Sequence, residues 1–222
     1  MEHLQINITV NEALYLRNPE ATELGRNIVS NSIIMIDTLG FEAFTFKKLG
    51  ATIGSNESSI YRYFENKHAL LVYLVSWYWS WIEYRLLFAT ANVQNSEDKL
   101  KSAIALVTQE VTEDTTVYYV NEVILHRIII SESSKAYHTK DIDTENAKGY
   151  YKTYKRVVQR ISDIVLEVNP NYLYPHMLIS TVIEGAHHQR YFSQHLPSLT
   201  NMTEGENAIT QFYTDLVAKT IQ

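Results

Sequence analysis

Cysteine is absent from all 222 residues. Its absence excludes disulfides, thiolate-held zinc and cysteine nucleophiles. Glycine and proline are scarce, at 7 and 4. No stretch alternates apolar and polar residues over the length of a strand, so the sequence predicts an all-α chain. The opening MEHLQINITVNEALYLRNPE lacks a basic segment followed by an apolar run. A signal peptide is therefore not expected, and a cytoplasmic location is. No Gly-rich phosphate loop, serine elbow or paired-carboxylate signature is present, so catalysis has no residues to rest on. Positive charge is also short: the net charge is −6. Within the first 75 residues, eight acids outnumber six bases (Arg17, Arg26, Lys47, Lys48, Arg62 and Lys67).

What is present is concentrated in residues 40–70, GFEAFTFKKLGATIGSNESSIYRYFENKHAL. Phe46, Leu49, Gly50 and Ile53 share one helical face, with Thr45 ahead of them as an N-cap. Gly54-Ser55-Asn56 breaks the period, and Ile60 and Phe64 restart it four residues apart. Gly50, on the buried face, allows close approach of two helices. This is the layout of a helix-turn-helix, whose second helix enters the major groove of DNA. With Ile60 and Phe64 inward, Ser58, Ser59, Arg62 and Tyr63 are expected outward, with Tyr61 alongside. The serines let the backbone approach base edges, Arg62 suits a bidentate contact to guanine, and the tyrosine hydroxyls suit phosphates. Thr45 and Lys67 lie at helix N-termini, where phosphate is favoured. Glu57 can cap the second helix, accept from a cytosine amine or repel phosphate; capping is the preferred reading. The expected DNA-contact set is Thr45, Lys48, Ser55, Asn56, Glu57, Ser58, Ser59, Tyr61, Arg62, Tyr63 and Lys67.

The stretch resembles the DNA-binding domain of the TetR family of bacterial transcriptional regulators. Gly40-Phe41, Phe44-Thr45, Lys48-Leu49, Ile53-Gly54, Ile60-Tyr61-Arg62-Tyr63-Phe64 and Asn66-Lys67 carry the resemblance, over residues of about 20 to 72. It implies the same roles at the recognition positions. It also implies a homodimer, a near-palindromic double-stranded operator, and a small-molecule effector that moves the fourth helix and changes the separation of the two heads. The domain reading is an N-terminal extension over 1–18, either disordered or with a short helix at Glu12 to Arg17, a DNA-binding head over 19–66, and a ligand-binding and dimerisation body over 67–222.

About nine helices are expected: 20–39 with Leu24, Ile28, Ile33, Ile36 and Leu39 inward; the two short helices of the motif; Lys67 to about Ala91; one capped by Ser96; 116–131; 144–168 with Tyr150 and Tyr154 on its apolar face; 172–196, with Pro175 a natural start; and 204–220. Polar linkers are expected at 132–144 and 197–205. The run LLVYLVSWYWSWIEYRLLFA is apolar on most sides, but Glu83, Arg85, Ser76 and Ser80 interrupt it. It reads as a buried central helix, not a membrane span. Trp81, Tyr84, Phe88, His126 and Tyr154 are candidate ligand-lining residues for an apolar or aromatic effector. Leu178, Val182, Gly185, Gln189, Phe192, Phe212 and Leu216 are candidate dimer-interface residues, because the 172–196 helix has more than one apolar face.

Glu184, His187 and His188 have helical metal spacing, with His195 further along and His126 a lone partner elsewhere. A second carboxylate–histidine set is missing. A polar rim to a dimer interface is favoured, and no metal or cofactor is expected. Two other readings remain at this point: a helical ligand carrier or scaffold that no longer binds DNA, and a helical metal protein or enzyme built on these residues.

Overall fold

The computed structural model describes residues 8–113, 119–202 and 207–222. Eleven α-helices occur among them, with no strand, and 71% of these residues are helical. They are α1 (Glu23–Leu39), α2 (Phe46–Thr52), α3 (Glu57–Ile60), α4 (Lys67–Thr90), α5 (Ser96–Thr108), α6 (Glu122–Glu132), α7 (Ser134–Tyr137), α8 (Ile142–Ala147), α9 (Lys152–Val168), α10 (Pro175–His195) and α11 (Ala208–Thr220). The count exceeds nine because the expected polar linker at 132–144 holds α7 and the first half of α8. The sixth helix starts at Glu122, later than expected; residues 114–118 lie outside the described residues.

Helix ends follow local side-chain chemistry. Thr22 caps α1 by accepting from the Gly25 amide, and Asn66 caps α4 through the Ala69 amide at 2.8 Å. Asn95 caps α5, so Ser96 is its first residue and not its cap. Pro175 opens α10, where its missing N–H costs nothing. Gly40 ends α1 with φ of 77°, a conformation open mainly to glycine.

The chain divides into two compact units, Met1–Ser80 with Val111–Lys152, and Trp81–Glu110 with Thr153–Gln222. Helix α4 contributes to both. In the first unit, Phe44, Leu49, Ile60, Phe64, Leu70 and Leu71 are fully buried, together with Ile28 and Leu125. Leu39 is exposed, against expectation, because it is the last residue before the glycine stop and points off the packed stripe. Polar ties join distant segments of this unit. Arg127 donates twice to Asp37 (2.9 and 2.7 Å), and the Phe41 amide donates to buried Glu132 at 3.0 Å. The segment before α1 is part of the unit: Ile8, Val10 and Leu14 are buried, and a 3-10 turn spans Glu12–Leu14.

The second unit is a helical bundle centred on Trp81, Ile82, Ile104, Val157, Ile161, Ile179, Val182 and Ile183. Burial opposes the charge on Glu83, yet hydrogen bonds from Arg156 and Arg160 outweigh it and hold the carboxyl below its usual pKa. That explains an acid inside the most apolar run of the chain. Among the described residues no helix is long and apolar enough to cross a membrane.

Candidate nucleic-acid interface

Helices α2 and α3 and the turn between them are built by short-range bonds. The Thr45 hydroxyl accepts from the Lys48 amide at 3.2 Å and starts α2. Gly54 turns the chain with φ of 65°, and the Ser55 amide closes back on the Gly50 carbonyl at 2.9 Å. A β-carbon on Gly50 would lie 2.7 Å from the Ser55 carbonyl oxygen, so the two helices approach as closely as the sequence suggested.

The cap of α3 is Asn56, not Glu57. Its Oδ1 accepts from the Ser59 amide (2.8 Å) and from the Ser58 and Ser59 hydroxyls (2.7 Å each). A side chain one residue ahead of the helix reaches the orphan amides of the first turn, whereas Glu57 is already inside that turn. Glu57 instead accepts from the Tyr61 hydroxyl at 3.3 Å. Desolvation first, and then this carboxylate, raise the Tyr61 pKa.

The structure redirects two residues of the expected contact set. Tyr63 is buried, and its hydroxyl shares a 2.7 Å hydrogen bond with Thr22. The reason is helical periodicity: Ile60, Tyr63 and Phe64 stand at i, i+3 and i+4 and share one face, and the Tyr63 and Phe64 amides both return to the Ile60 carbonyl and hold that turn. Lys67 is the other. Its ammonium donates to the carbonyls of Phe41 (3.0 Å), Glu42 (3.1 Å) and Phe44 (3.5 Å), closing the turn ahead of α2.

Thr45, Lys48, Asn56, Ser58, Tyr61 and Arg62 are exposed on the α2–α3 pair, with Ser55, Glu57 and Ser59 half-buried among them. Lys48 donates to the Ala43 carbonyl at 2.7 Å. Exposed Lys47, next to it, was left out of the expected set; its place just inside α2 was the available signal.

The five candidate ligand-lining residues divide between the two units. His126 belongs to the first unit, where its Nδ1 and the Tyr78 hydroxyl are 2.9 Å apart. Trp81, Tyr84, Phe88 and Tyr154 belong to the second. Trp81 is fully buried, Phe88 is 66% exposed beside Tyr84, and the Tyr154 hydroxyl donates to Glu184 at 2.7 Å. A cavity of about 380 Å³ in the second unit is lined instead by Leu100, Ile104, Val168, Thr214, Val217 and Ile221, with Glu97, Lys101 and Asn169 adding polar groups. A smaller one, of about 190 Å³, lies between Gln189 and Phe212.

Of the candidate interface residues, Val182 is fully buried in its own unit, on the face of α10 that builds the core. Gly185 faces the hydroxyl of Tyr213 of α11, which leaves no room for a β-carbon. Leu178, Gln189 and Phe192 are half-buried, while Phe212 and Leu216 are exposed. Met177 on α10 and Tyr174 just ahead of it are exposed as well. Among the described residues no group of three or more histidine, aspartate and glutamate side chains can hold a metal ion.

Residues 31–74 match the family model described as "Bacterial regulatory proteins, tetR family". No curated protein matches the chain. Among solved structures, a bacterial regulatory protein in the tetR family from Rhodococcus RHA1 is similar at 12% identity, over 92% of this chain and 97% of that one, with a TM-score of 0.60. The superantigen PfiT is similar at 10% identity, over 91% and 97%, with a TM-score of 0.58. AibR, solved with isovaleryl coenzyme A and operator DNA, is similar at 15% identity, over 87% and 97%, with a TM-score of 0.51. At such identities the shared property is the fold, and a superantigen, a tetR-family regulatory protein and a protein bound to operator DNA wear it alike. The match over 31–74 is what singles out the head.

Proposed function

We propose that this chain, a DNA-binding transcriptional regulator of the TetR family, acts as a homodimeric, ligand-responsive repressor of a near-palindromic operator. The observation that carries the reading is the exposed polar face of α2 and α3, with Thr45, Lys47, Ser58 and Arg62 on it and a capped first turn beneath. Arg62 is exposed and makes no hydrogen bond or ion pair among the described residues, so its guanidinium is available for a guanine edge. Few cations are available in each head, so one head alone neutralises few phosphates and two are needed for useful affinity. Tyr174, Met177, Phe212 and Leu216 supply exposed apolar surface for a two-fold interface.

Selection of duplexes from a random pool at low salt tests this. The wild type should recover a near-palindrome, and Arg62→Ala should relax the bases that Arg62 reads, at a cost of about 1–3 kcal/mol per half-site. Recovery of isolated half-sites would count against the dimer. Recovery of nothing by a well-folded dimer would favour the helical-carrier reading.

We place the effector in the 380 Å³ cavity of the second unit, whose lining is mainly aliphatic with a polar edge. An anilinonaphthalene dye should bind there with enhanced fluorescence. Thr214→Phe, which fills the cavity, should weaken the dye by about tenfold or more, and leave operator affinity unchanged. Equal dye binding by the variant would move the effector elsewhere.

A further inference from the structure

We propose that Arg17 is a phosphate-binding residue of the DNA interface, delivered there by the segment ahead of α1. The proposal rests on the DNA-binding reading above and adds a residue outside the helix-turn-helix.

Residues 9–17 form a strap within the first unit. The Thr9 carbonyl accepts from the Ser80 hydroxyl at 3.1 Å, and Asn11 donates its side-chain amide to the Lys148 carbonyl at 3.2 Å. Leu14 is buried, and the Tyr15 ring meets the Tyr73 ring edge-on at 6.2 Å. The Leu16 amide then donates to the Tyr63 carbonyl at 2.8 Å. The contacts therefore descend from Ser80 to Tyr73 on α4 and on to Tyr63, three residues past the end of α3. From Ser80 to Tyr73 alone this is a travel of about 10 Å at an α-helical rise.

The strap ends with Arg17 at that exit. Its guanidinium carbon stands 5.4 Å from the centre of the Tyr63 ring, and Tyr63 is the chain neighbour of Arg62. The backbone of Arg17 follows the bonded Leu16 amide, while its side chain is exposed. Tyr63 is itself fixed, buried and bonded to Thr22. A cation is thus positioned beside the recognition helix on a rigid support.

The charge census of the head gives this position its weight. Lys67 is tied to three carbonyls, Arg26 donates to the Glu20 carbonyl at 2.6 Å, and Lys48 to that of Ala43. Among the described residues of the head, Arg17, Lys47 and Arg62 are the bases with no hydrogen bond or ion pair. In a chain of net charge −6, each remaining cation is a large fraction of what attracts the duplex. A residue flanking the recognition helix meets the sugar–phosphate rail at the groove edge, so its contact adds affinity without reading sequence.

Duplex affinity measured over a salt series, for the wild type, Arg17→Ala and Arg17→Lys, tests the assignment. For a dimer, Arg17→Ala should reduce the slope of log K against log salt by about 1.8, or about 0.9 per protomer. Binding to operator and to unrelated duplex should weaken by the same factor, and Arg17→Lys should keep the wild-type slope. A folded Arg17→Ala protein with an unchanged slope would overturn the proposal, even if its melting temperature drops from loss of the Tyr63 contact. A wild type with no salt-dependent duplex binding would overturn the DNA-binding reading, and this one with it.

Discussion

Gly50→Ala should abolish operator binding and melt the head early, although a mid-helix glycine-to-alanine change ordinarily stabilises a helix by about 1 kcal/mol. The sign reverses here because of what the methyl would meet. A β-carbon would lie 2.7 Å from the Ser55 carbonyl oxygen and 3.4 Å from the Glu57 amide nitrogen. Both are main-chain atoms, and the Ser55 amide is bonded back to Gly50 itself. Relief therefore requires opening the turn that sets α3 against α2, an overpacking cost of about 1–3 kcal/mol. Even where the head stays folded, the recognition helix is displaced from the geometry that places Arg62. Thermal melting followed by circular dichroism, alongside duplex titration, checks this. Gly54→Ala is the comparison: nothing lies within 4 Å of its β-carbon position, so only the left-handed φ opposes it, at about 1–2 kcal/mol. A Gly50→Ala protein that melts no lower than wild type and binds as tightly would refute the close helix approach.

Stability should also fall as pH drops from 6.5 to 4, by about 3 kcal/mol from one side chain. His187 is buried on α10, and burial first, then the positive charge of Arg190 and the neighbouring His188, lower its pKa from 6.5 to about 4. The folded state therefore holds the imidazole neutral, whereas the unfolded chain protonates it below 6.5. The stabilisation is complete above 6.5, declines through the interval, and is lost below about 4. The span from 6.5 to 5 is the diagnostic one, because ordinary carboxylates remain ionised there. Denaturant melts at pH 7, 6 and 5 should show the decline, and His187→Gln should flatten it. A level profile in the wild type, or an equal decline in the variant, would remove His187 as its cause.

Much of the head was legible from residues close together in the chain. The Thr45 cap, the Gly54 turn and the approach at Gly50 each depend on atoms at most seven residues apart. The start of α10 at Pro175 was readable for the same reason. Two expectations ran against the local pattern. Tyr63 was expected outward, although three residues after Ile60 it falls on the inward face, and Glu57 was preferred as a cap because its charge suits a helix N-terminus, while Asn56 had the better reach. Val182 and Phe212 looked alike as stripe residues, yet one is fully buried and the other is 58% exposed.

By itself, then, the sequence determined an all-helical chain with a helix-turn-helix near its start, because helix caps, turns and apolar periods are set by near neighbours along the backbone. Only the tertiary structure decided that Lys67 is unavailable to DNA, since its ammonium is engaged by carbonyls 23 to 26 residues earlier in the chain. It likewise decided that Arg17 stands beside the recognition helix, and that the second unit's larger cavity is lined by Ile104, Val168 and Val217 and not by the aromatic stripe of α4. Those outcomes depend on segments far apart in sequence meeting through burial of apolar surface, which no local pattern encodes.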